Sequence, residues 1–411
     1  MSKYVIIGNS AAAVGCVEGI RSVDKTGKIT LITNEPHHTY SRPLISYLLL
    51  GKTDRERMKY RPDDFYEKNN CDILFGKTAV AVSAAAKKIL LDDDNTVQFE
   101  KLLVATGSVP FVPPMEGLDS VNKKCSFMSL SDAEKLQSFI NKDSEVLIIG
   151  AGLIGLKCAE GILNSVKKIT VVDLADRILA SILDKEGAAK VQKHLEEKGV
   201  SFILGDSAAK FTENSALLKS GKEVPFDALV LAVGVRPNIS LIKDADGDIR
   251  KGIVTDDHCK TSLDNIYAAG DCSESFDITS AESKVLALLP NAYSQGFVAG
   301  KNMAGEETLY ISAMPMNAIG FFGLHMITAG SYVGEVIDAS DNETYKKFFV
   351  KDGCLKGYII IGDVSRAGIY TSLIKEQVPL DTIDFELIKR KPQLMAFAKT
   401  ERDLRVNKAF L

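Results

Sequence analysis

The chain has 411 residues, enough for two or three domains with sizeable cores, which excludes a minimal binding module. Apolar residues make up 45% and charged residues 25%, both at the globular average, so disordered, collagen-like and coiled-coil organisations are excluded. Lys plus Arg number 50 against 54 for Asp plus Glu, a net charge of -4 that argues against a nucleic-acid partner needing a strongly basic face.

From the N-terminus, Met1-Ser2-Lys3-Tyr4-Val5-Ile6-Ile7 runs straight into a strand pattern with no room for a leader, so the cytoplasm is the expected location. The strand ends in a turn of small residues, Gly8-Asn9-Ser10-Ala11-Ala12-Ala13. Ala13, Cys16, Val17 and Ile20 then recur at i, i+3, i+4, i+7, the buried face of a helix, and Ile29-Thr30-Leu31-Ile32-Thr33 is the next strand, ending beside Glu35. The chemistry of this βαβ unit suits a dinucleotide. Tiny residues let the backbone approach a pyrophosphate, the helix start offers free N–H groups, and a carboxylate after the second strand accepts ribose hydroxyls. Ser10 and Ala13 replace the second and third glycines of the usual pattern, so this segment alone leaves a plain βαβ core open. Adjacent imidazoles such as His37-His38 point apart too easily for a metal pair. Asp92-Asp93-Asp94-Asn95, between Ile89-Leu90-Leu91 and Val97-Gln98-Phe99, reads as a solvated hairpin turn, and no residue is assigned to a metal.

Val146 to Ile149 is a second strand followed by a full G-x-G-x-x-G: Gly150, Gly152, Leu153, Ile154 and Gly155. Ala159, Ile162 and Leu163 mark the inner face of its helix, and Ile169-Thr170-Val171-Val172 ends in Asp173, where a ribose-binding acid belongs. The apolar run Val146 to Leu156 contains three glycines in 11 residues and is too short for a bilayer span. Two fingerprints in one chain imply two dinucleotides. Each has a later echo of buried strand, glycine turn and proline exit: Leu102 to Pro110 with Ala105, Thr106 and Gly107, and Ala228 to Pro237 with Val233 and Gly234. A further strand ends in Gly270-Asp271, and Asn291 to Gly300 is helical. From about residue 309 a third region begins, with strands at Tyr345 to Val350 and Tyr358 to Ile361, a helix near Ala367 to Glu376, and an apolar run Met316 to Leu324 of interface character. The tail from Asp384 mixes Lys389-Arg390-Lys391, Lys399, Arg402 and Arg405 with Leu394, Met395, Phe397 and Leu404, either a solvated helix or a basic docking segment. Seven scattered cysteines without C-x-x-C spacing fit a reducing compartment and give no cluster or zinc site. No G-x-S-x-G or H-E-x-x-H supports hydrolysis.

This set of motifs, in this order and over nearly the whole chain, resembles the FAD-dependent pyridine nucleotide-disulfide oxidoreductase superfamily, in its rubredoxin reductase, ferredoxin reductase and NADH oxidase-like branch. The resemblance implies an α/β fold: two Rossmann-like dinucleotide-binding domains, FAD on residues 1–112 and 240–308 interrupted by NAD on 113–239, and an α+β C-terminal domain on 309–411 that covers the flavin or forms an oligomer interface. It implies that Gly8, Ser10, Ala11, Ala12 and Ala13 meet the FAD pyrophosphate and Glu35 its ribose. Ala105, Thr106 and Gly107 would lie along the cofactor and Gly270-Asp271 at the ribityl chain. Arg42-Pro43 resembles an Arg-Pro pair whose guanidinium can meet FAD phosphate.

Thiol-dependent relatives carry beside the flavin either a C-x4-C pair or one redox cysteine eight residues before a glycine. Counting back from Gly51 gives Pro43, which forms neither a charge-transfer thiolate nor a sulfenic acid. Two other positions depart from the family: Tyr47 stands where many relatives have a lysine near the flavin, and Lys157 where many have a glutamate near the nicotinamide. The expected chemistry is hydride transfer between NAD(H) and FAD with no catalytic side chain, the protein supplying geometry and electrostatics. Asp173 would repel a 2′-phosphate and so favours NADH. The acceptor implied is a one-electron iron–sulfur protein such as rubredoxin or ferredoxin. Two alternatives stand beside it, an electron-relay subunit of a larger cluster-bearing complex and an NADH oxidase.

Overall fold

In this computed structural model, which describes residues 2–398, Thr400 and Arg402, strand β1 (Ser2–Ile7) is buried on both faces. Tyr4, Val5 and Ile6 are fully buried, as a central strand of a parallel sheet requires. β1 pairs in parallel with β2 (Ile29–Thr33) and with β6 (Thr96–Val104), placing Tyr4 opposite Ile29 and Lys101. β3 (Cys71–Phe75) continues the sheet beyond β2, and the short strand Ile266–Ala268, from much later in the chain, pairs with β6. β4 (Ala79–Ser83) and β5 (Lys88–Leu91) extend β6 as an antiparallel ribbon. Asp92 to Asn95 form the hairpin turn expected of them, with Asp94 at positive φ and Lys77 2.5 Å from the Asp93 carboxylate.

The helix Ala11–Val23 buries Ala13, Cys16, Val17 and Ile20, the residues its periodicity marks. It lies against the helix Leu289–Met303 at backbone contact. Gly15 and Gly19 on one face Tyr293 and Phe297, while Gly296 and Gly300 on the other face Ala12 and Cys16, and a Cβ at any of the four would overlap a carbonyl oxygen opposite. Glu18 fastens the same pair, accepting from Arg61 Nε and from the Tyr293 hydroxyl, each at 2.6 Å.

A second parallel sheet has the order Val200–Leu204, Lys168–Asp173, Glu145–Ile149, Ala228–Leu231 and Lys124–Cys125. The two proline exits noted in the sequence pair with each other, Ser108–Pro110 antiparallel to Val235–Pro237 with Val109 opposite Arg236. Both sheets belong to one compact unit made of residues up to Ser181, Ala188–Phe276 and Ser283–Ile311.

The other unit comprises Ile182–Gly187, Asp277–Glu282 and the residues from Ser312 onward. Its antiparallel sheet runs in the order Met316–Phe321, Leu324–Gly330, Cys354–Ile361, Tyr345–Lys351, Glu335–Asp338. Phe348, Tyr358 and Tyr370 form its core with Leu373 and Ile388. The apolar run Met316 to Leu324 is an edge strand and its turn, with Phe321 buried, Ala318 and Gly323 exposed and the rest half-buried. The segment Ile182–Gly187 is held here by Asp184, which accepts from the Tyr345 hydroxyl and pairs with Lys347 at 3.1 Å. In the tail, Phe385–Arg390 is a short helix with Ile388 buried, Phe397 is buried, and Leu394 and Met395 are exposed. Lys399, Leu404 and Arg405 lie outside the described residues. Among the described residues no helix is long and apolar enough to cross a membrane, and no cluster of His, Cys, Asp and Glu could hold a metal ion.

Candidate dinucleotide sites

Two helix starts built alike define the candidate sites. Gly8 has φ +127° and a Cβ there would stand 3.0 Å from the Ala105 carbonyl carbon; Gly150 has φ +113° and a Cβ there would stand 2.6 Å from that of Ala232. Only glycine lets the strand turn this tightly beneath its neighbour. The helices that follow begin at Ser10 and Gly152, neither with a side-chain cap nor with an acid in the first turn. Their leading N–H groups and positive dipole ends are therefore unspent, as an anion site requires.

At the first turn the structure opens into a cavity of 530 Å³, within the range of small-molecule sites. Its wall brings together Gly8, Ser10, Ala11, Ala12, Glu35, Arg42, Ala105, Thr106, Gly107, Gly270 and Asp271. Two expected residues do not reach it: Ala13 is fully buried in the helix body, and Pro43 sits in the 3-10 turn Arg42–Leu44. Glu35 is engaged on both oxygens, by the guanidinium of Arg42 on Oε1 and by the Tyr40 hydroxyl at 2.7 Å on Oε2. Tyr40 Oη also accepts from the backbone N–H of Leu130 at 3.0 Å, and Arg42 donates to the Met128 carbonyl at 3.2 Å. The segment from Ser126 to Asp132 is thereby drawn onto the wall. Lost hydration alone would lower the pKa of Arg42, but its interactions with Tyr40 and with the Glu35 carboxylate outweigh it and raise it above its ordinary value. Burial pushes the Asp271 carboxyl above its ordinary value, with the Ser108 hydroxyl at 3.4 Å and the charge of Arg42 opposing. Tyr40, Ser108, His37 and His38 are wall residues that no sequence motif assigns to the cofactor. Tyr40 comes nearest to one, two residues before Arg42.

At the second turn Gly150, Gly152 and Gly155 surround the start of the helix Leu153–Ile162, with Leu153 and Ile154 in its first turn. Asp173 closes the adjacent strand, accepting from the N–H of Ala151 at 2.6 Å and of Ala175 at 2.7 Å, so the acid is fixed against the glycine loop. Val233 and Gly234 follow the neighbouring strand, where Gly234 turns at φ +111° and its carbonyl accepts from Phe111 N.

The two departures singled out in the sequence meet. The Lys157 ammonium lies 4.3 Å from the Tyr47 ring centroid and pairs with the buried carboxylate of Glu160. Gly161 permits this approach, since a Cβ there would stand 2.9 Å from the Ser46 carbonyl oxygen. All seven cysteines are free thiols, and none is among the residues lining the cavity. Burial holds Cys16 and Cys158 well above the ordinary thiol range and pushes Cys71 and Cys125 up to about 12.

The model of the pyridine nucleotide-disulphide oxidoreductase family matches residues 2–296, most of the chain. The chain belongs to that family. It is an oxidoreductase, and FAD and NAD(H) are its cofactors; the two uncapped helix starts and the cavity fit dinucleotides of this kind. A second family model, the rubredoxin NAD+ reductase C-terminal domain, matches residues 315–378. The chain is 31% identical to the NADH-dependent phenylglyoxylate dehydrogenase subunit epsilon of Aromatoleum evansii, covering 92% of this chain and 93% of the relative. It is 30% identical to the rubredoxin-NAD(+) reductase of Alcanivorax borkumensis, covering 88% and 96%. Two other relatives, from Bacillus subtilis, are about twice as long, and the chain spans 48% and 49% of them. The reductase in a covalent putidaredoxin reductase–putidaredoxin complex shares the fold, with a TM-score of 0.88 at 21% identity over 99% of both chains.

Proposed function

We infer that this chain is an NADH:acceptor oxidoreductase passing electrons between NAD(H) and a one-electron iron–sulfur acceptor such as rubredoxin or ferredoxin. The observation that carries the reading is the pair of uncapped glycine-turn helix starts in one compact unit, combined with proline where a redox thiol would stand. We assign FAD to residues 1–112 and 240–308, NAD to 113–239, and acceptor or oligomer contact to 309–411. Gly8, Ser10, Ala11 and Ala12 with the first helix start would meet the FAD pyrophosphate, Glu35 its ribose, Ala105 to Gly107 its length, and Gly270-Asp271 its ribityl chain. Arg42 holds Glu35 in the structure and stands ready for phosphate on the same wall. Gly150, Gly152, Leu153, Ile154 and Gly155 would take the NAD pyrophosphate, Asp173 its adenosine ribose, and Val233-Gly234 its nicotinamide side. FAD supplies two-electron acceptance from a nicotinamide hydride and one-electron release outward. The protein's contribution is to orient the two nucleotides and keep side-chain thiols out of the path. The scattered, unpaired thiols support a cytoplasmic setting.

A second reading, an electron-relay subunit of a larger cluster-bearing complex, draws support from the subunit named among the relatives. Anaerobic purification from the native host followed by NADH addition tests both. Loss of the visible flavin absorbance and its return on adding rubredoxin or ferredoxin supports the free reductase. The same loss within a stable assembly of cluster-bearing subunits supports the relay, and oxygen consumption with NADH alone points to an oxidase. No loss with either nicotinamide overturns hydride transfer.

A further inference from the structure

Hydride transfer needs the reacting atoms of the two cofactors about 3–3.5 Å apart, and a misplacement of about 1 Å can cost about a hundredfold in rate. The flavin and the nicotinamide are assigned to different parts of the chain, so the protein has to fix one part against the other. One seam joins those parts helix to helix, and its role rests on the proposed FAD and NAD assignments.

On the FAD side, the helix Ile45–Leu49 follows without a break from the 3-10 turn Arg42–Leu44, whose Arg42 is on the first cavity wall. Ser46 Oγ donates to the Pro43 carbonyl at 3.3 Å, tying helix to turn. On the NAD side, the helix Leu153–Ile162 begins at Gly152 of the second glycine turn. The two helices meet at backbone contact, since a Cβ on Gly161 would stand 2.9 Å from the Ser46 carbonyl oxygen and 3.2 Å from its Cα. Beside this contact Lys157 reaches across, its ammonium 4.3 Å from the centroid of the Tyr47 ring. Its side chain is only 19% exposed, and Glu160, buried one turn further along the same helix, pairs with the ammonium. A cation shielded from water over an aromatic face is held more firmly than one at the surface. Lys52 stands 5.8 Å from the same ring, but it belongs to the segment that carries Tyr47 and so ties nothing across the seam. Tyr40 and Arg42 bind Leu130 and Met128 at the cavity end of that segment. Lys157 is its tie to the helix that carries the NAD turn itself.

We propose that Lys157 is a positioning residue for hydride transfer, setting the spacing between the helix that starts at Gly152 and the segment that carries Arg42. It acts through Tyr47 and Glu160 rather than on the reacting atoms. Both nucleotides keep their own binding residues, so the spacing governs how fast the hydride passes and not whether FAD is held.

The test uses the full-length chain loaded with FAD. Flavin reduction is followed by stopped-flow absorbance at saturating NADH, together with the long-wavelength band given by a nicotinamide stacked on a flavin, and the FAD dissociation constant is measured separately. Lys157→Met combined with Glu160→Gln keeps the apolar stems and strands no buried charge. This double variant should slow flavin reduction about tenfold and weaken the long-wavelength band, with the FAD dissociation constant unchanged within about twofold. Tyr47→Leu, which removes the ring and leaves the ion pair whole, carries the same expectation should the double variant fail to fold. Lys157→Arg keeps a cation for the ring and should recover most of the rate. Gly161→Ala forces the same helices apart without altering a charge and should slow reduction comparably, whereas Lys52→Met should leave it unchanged. Native rates and a native long-wavelength band in the double variant or in Tyr47→Leu overturn the positioning role. Slowing in the double variant with none in Gly161→Ala overturns it too, since the effect would then be one of charge and not of spacing. A native chain that holds FAD but is not reduced by NADH overturns the functional reading instead.

Discussion

Gly296→Ala places a methyl group into the contact between the helices Ala11–Val23 and Leu289–Met303. A Cβ there would stand 2.7 Å from the carbonyl carbon and 2.9 Å from the Cα of Ala12. Carbon pairs rest at about 3.5–4.0 Å, so the helices must separate locally by about 1 Å. Gly15, Gly19 and Gly300 make equally close contacts on either side, and the obstructing atoms are backbone, so neither a rotamer change nor a small tilt relieves the clash. Overpacking of this kind costs about 1–3 kcal/mol, against a gain of at most about 1 kcal/mol from replacing glycine by alanine within a helix. The net effect is destabilising, and because Ala12 forms part of the cavity wall, FAD affinity should fall with it. Gly368→Ala is the matched control: nothing lies within 4 Å of a Cβ there, at the first residue of the helix Gly368–Lys375, so the same change should be neutral or stabilise by up to about 1 kcal/mol. Thermal unfolding with and without FAD, together with the FAD dissociation constant, reads both variants. A Gly296→Ala protein that melts no lower than the native chain and binds FAD equally well would refute the packing argument.

Further expectations concern the coenzyme, the thiols and acid stability. The native chain should show a higher kcat/KM with NADH than with NADPH, and Asp173→Ala, which also frees the N–H groups of Ala151 and Ala175, should lower the NADH value at least about tenfold; equal or better turnover with NADPH would refute the role of Asp173. Iodoacetamide at neutral pH should leave NADH-driven electron transfer intact, because burial raises the pKa of Cys16, Cys71, Cys125 and Cys158, and activity lost in step with labelling of one cysteine would contradict this. Burial raises the Glu18 pKa, but the hydrogen bonds from Arg61 and Tyr293 outweigh it and leave it below the ordinary value. Its stabilisation is therefore complete above the unfolded value of about 4.3 and lost as pH falls through the lower folded value. Glu18→Gln should flatten the fall in melting temperature below about pH 5, and an unchanged acid limb would show that the carboxylate is not responsible.

Much of the site is legible in the sequence because its chemistry is local in the chain. Strand, glycine turn and helix are consecutive at Gly8 and at Gly150, and Asp173 follows its turn at a fixed distance, so periodicity and spacing suffice to find them. The rest depends on contacts between distant segments. The partnership of Glu35 with Arg42 and Tyr40 needs a loop to fold back, and its extension to Met128 and Leu130 needs a segment from beyond β6. The helix pair is half visible: Gly15 with Gly19 and Gly296 with Gly300 share a four-residue spacing, but nothing in either helix names the other. Lys157 and Tyr47 stand out separately as departures, and only the packing of their two short helices unites them. Sequence continuity places the short segment Ile182–Gly187 in the nucleotide region, whereas Asp184 and its neighbours fold with the C-terminal sheet.

The pairing of β6 with Ile266–Ala268 sets an order of events during synthesis. β1 to β6 leave the ribosome early, yet the strand that pairs with the C-terminal end of β6, Leu102–Val104, and the helix that packs on Ala11–Val23, emerge only after the whole second sheet has been made. At about 5–20 residues per second the delay is roughly 8–30 s. All strands of the second sheet lie between Lys124 and Leu231, so it can complete itself within that interval without waiting for later residues. The early half meanwhile carries an unpaired edge, which invites association with other nascent chains. The cavity at Gly8 is thus completed only once Leu289 and Ala292 have been made, although its glycine turn is among the first residues translated.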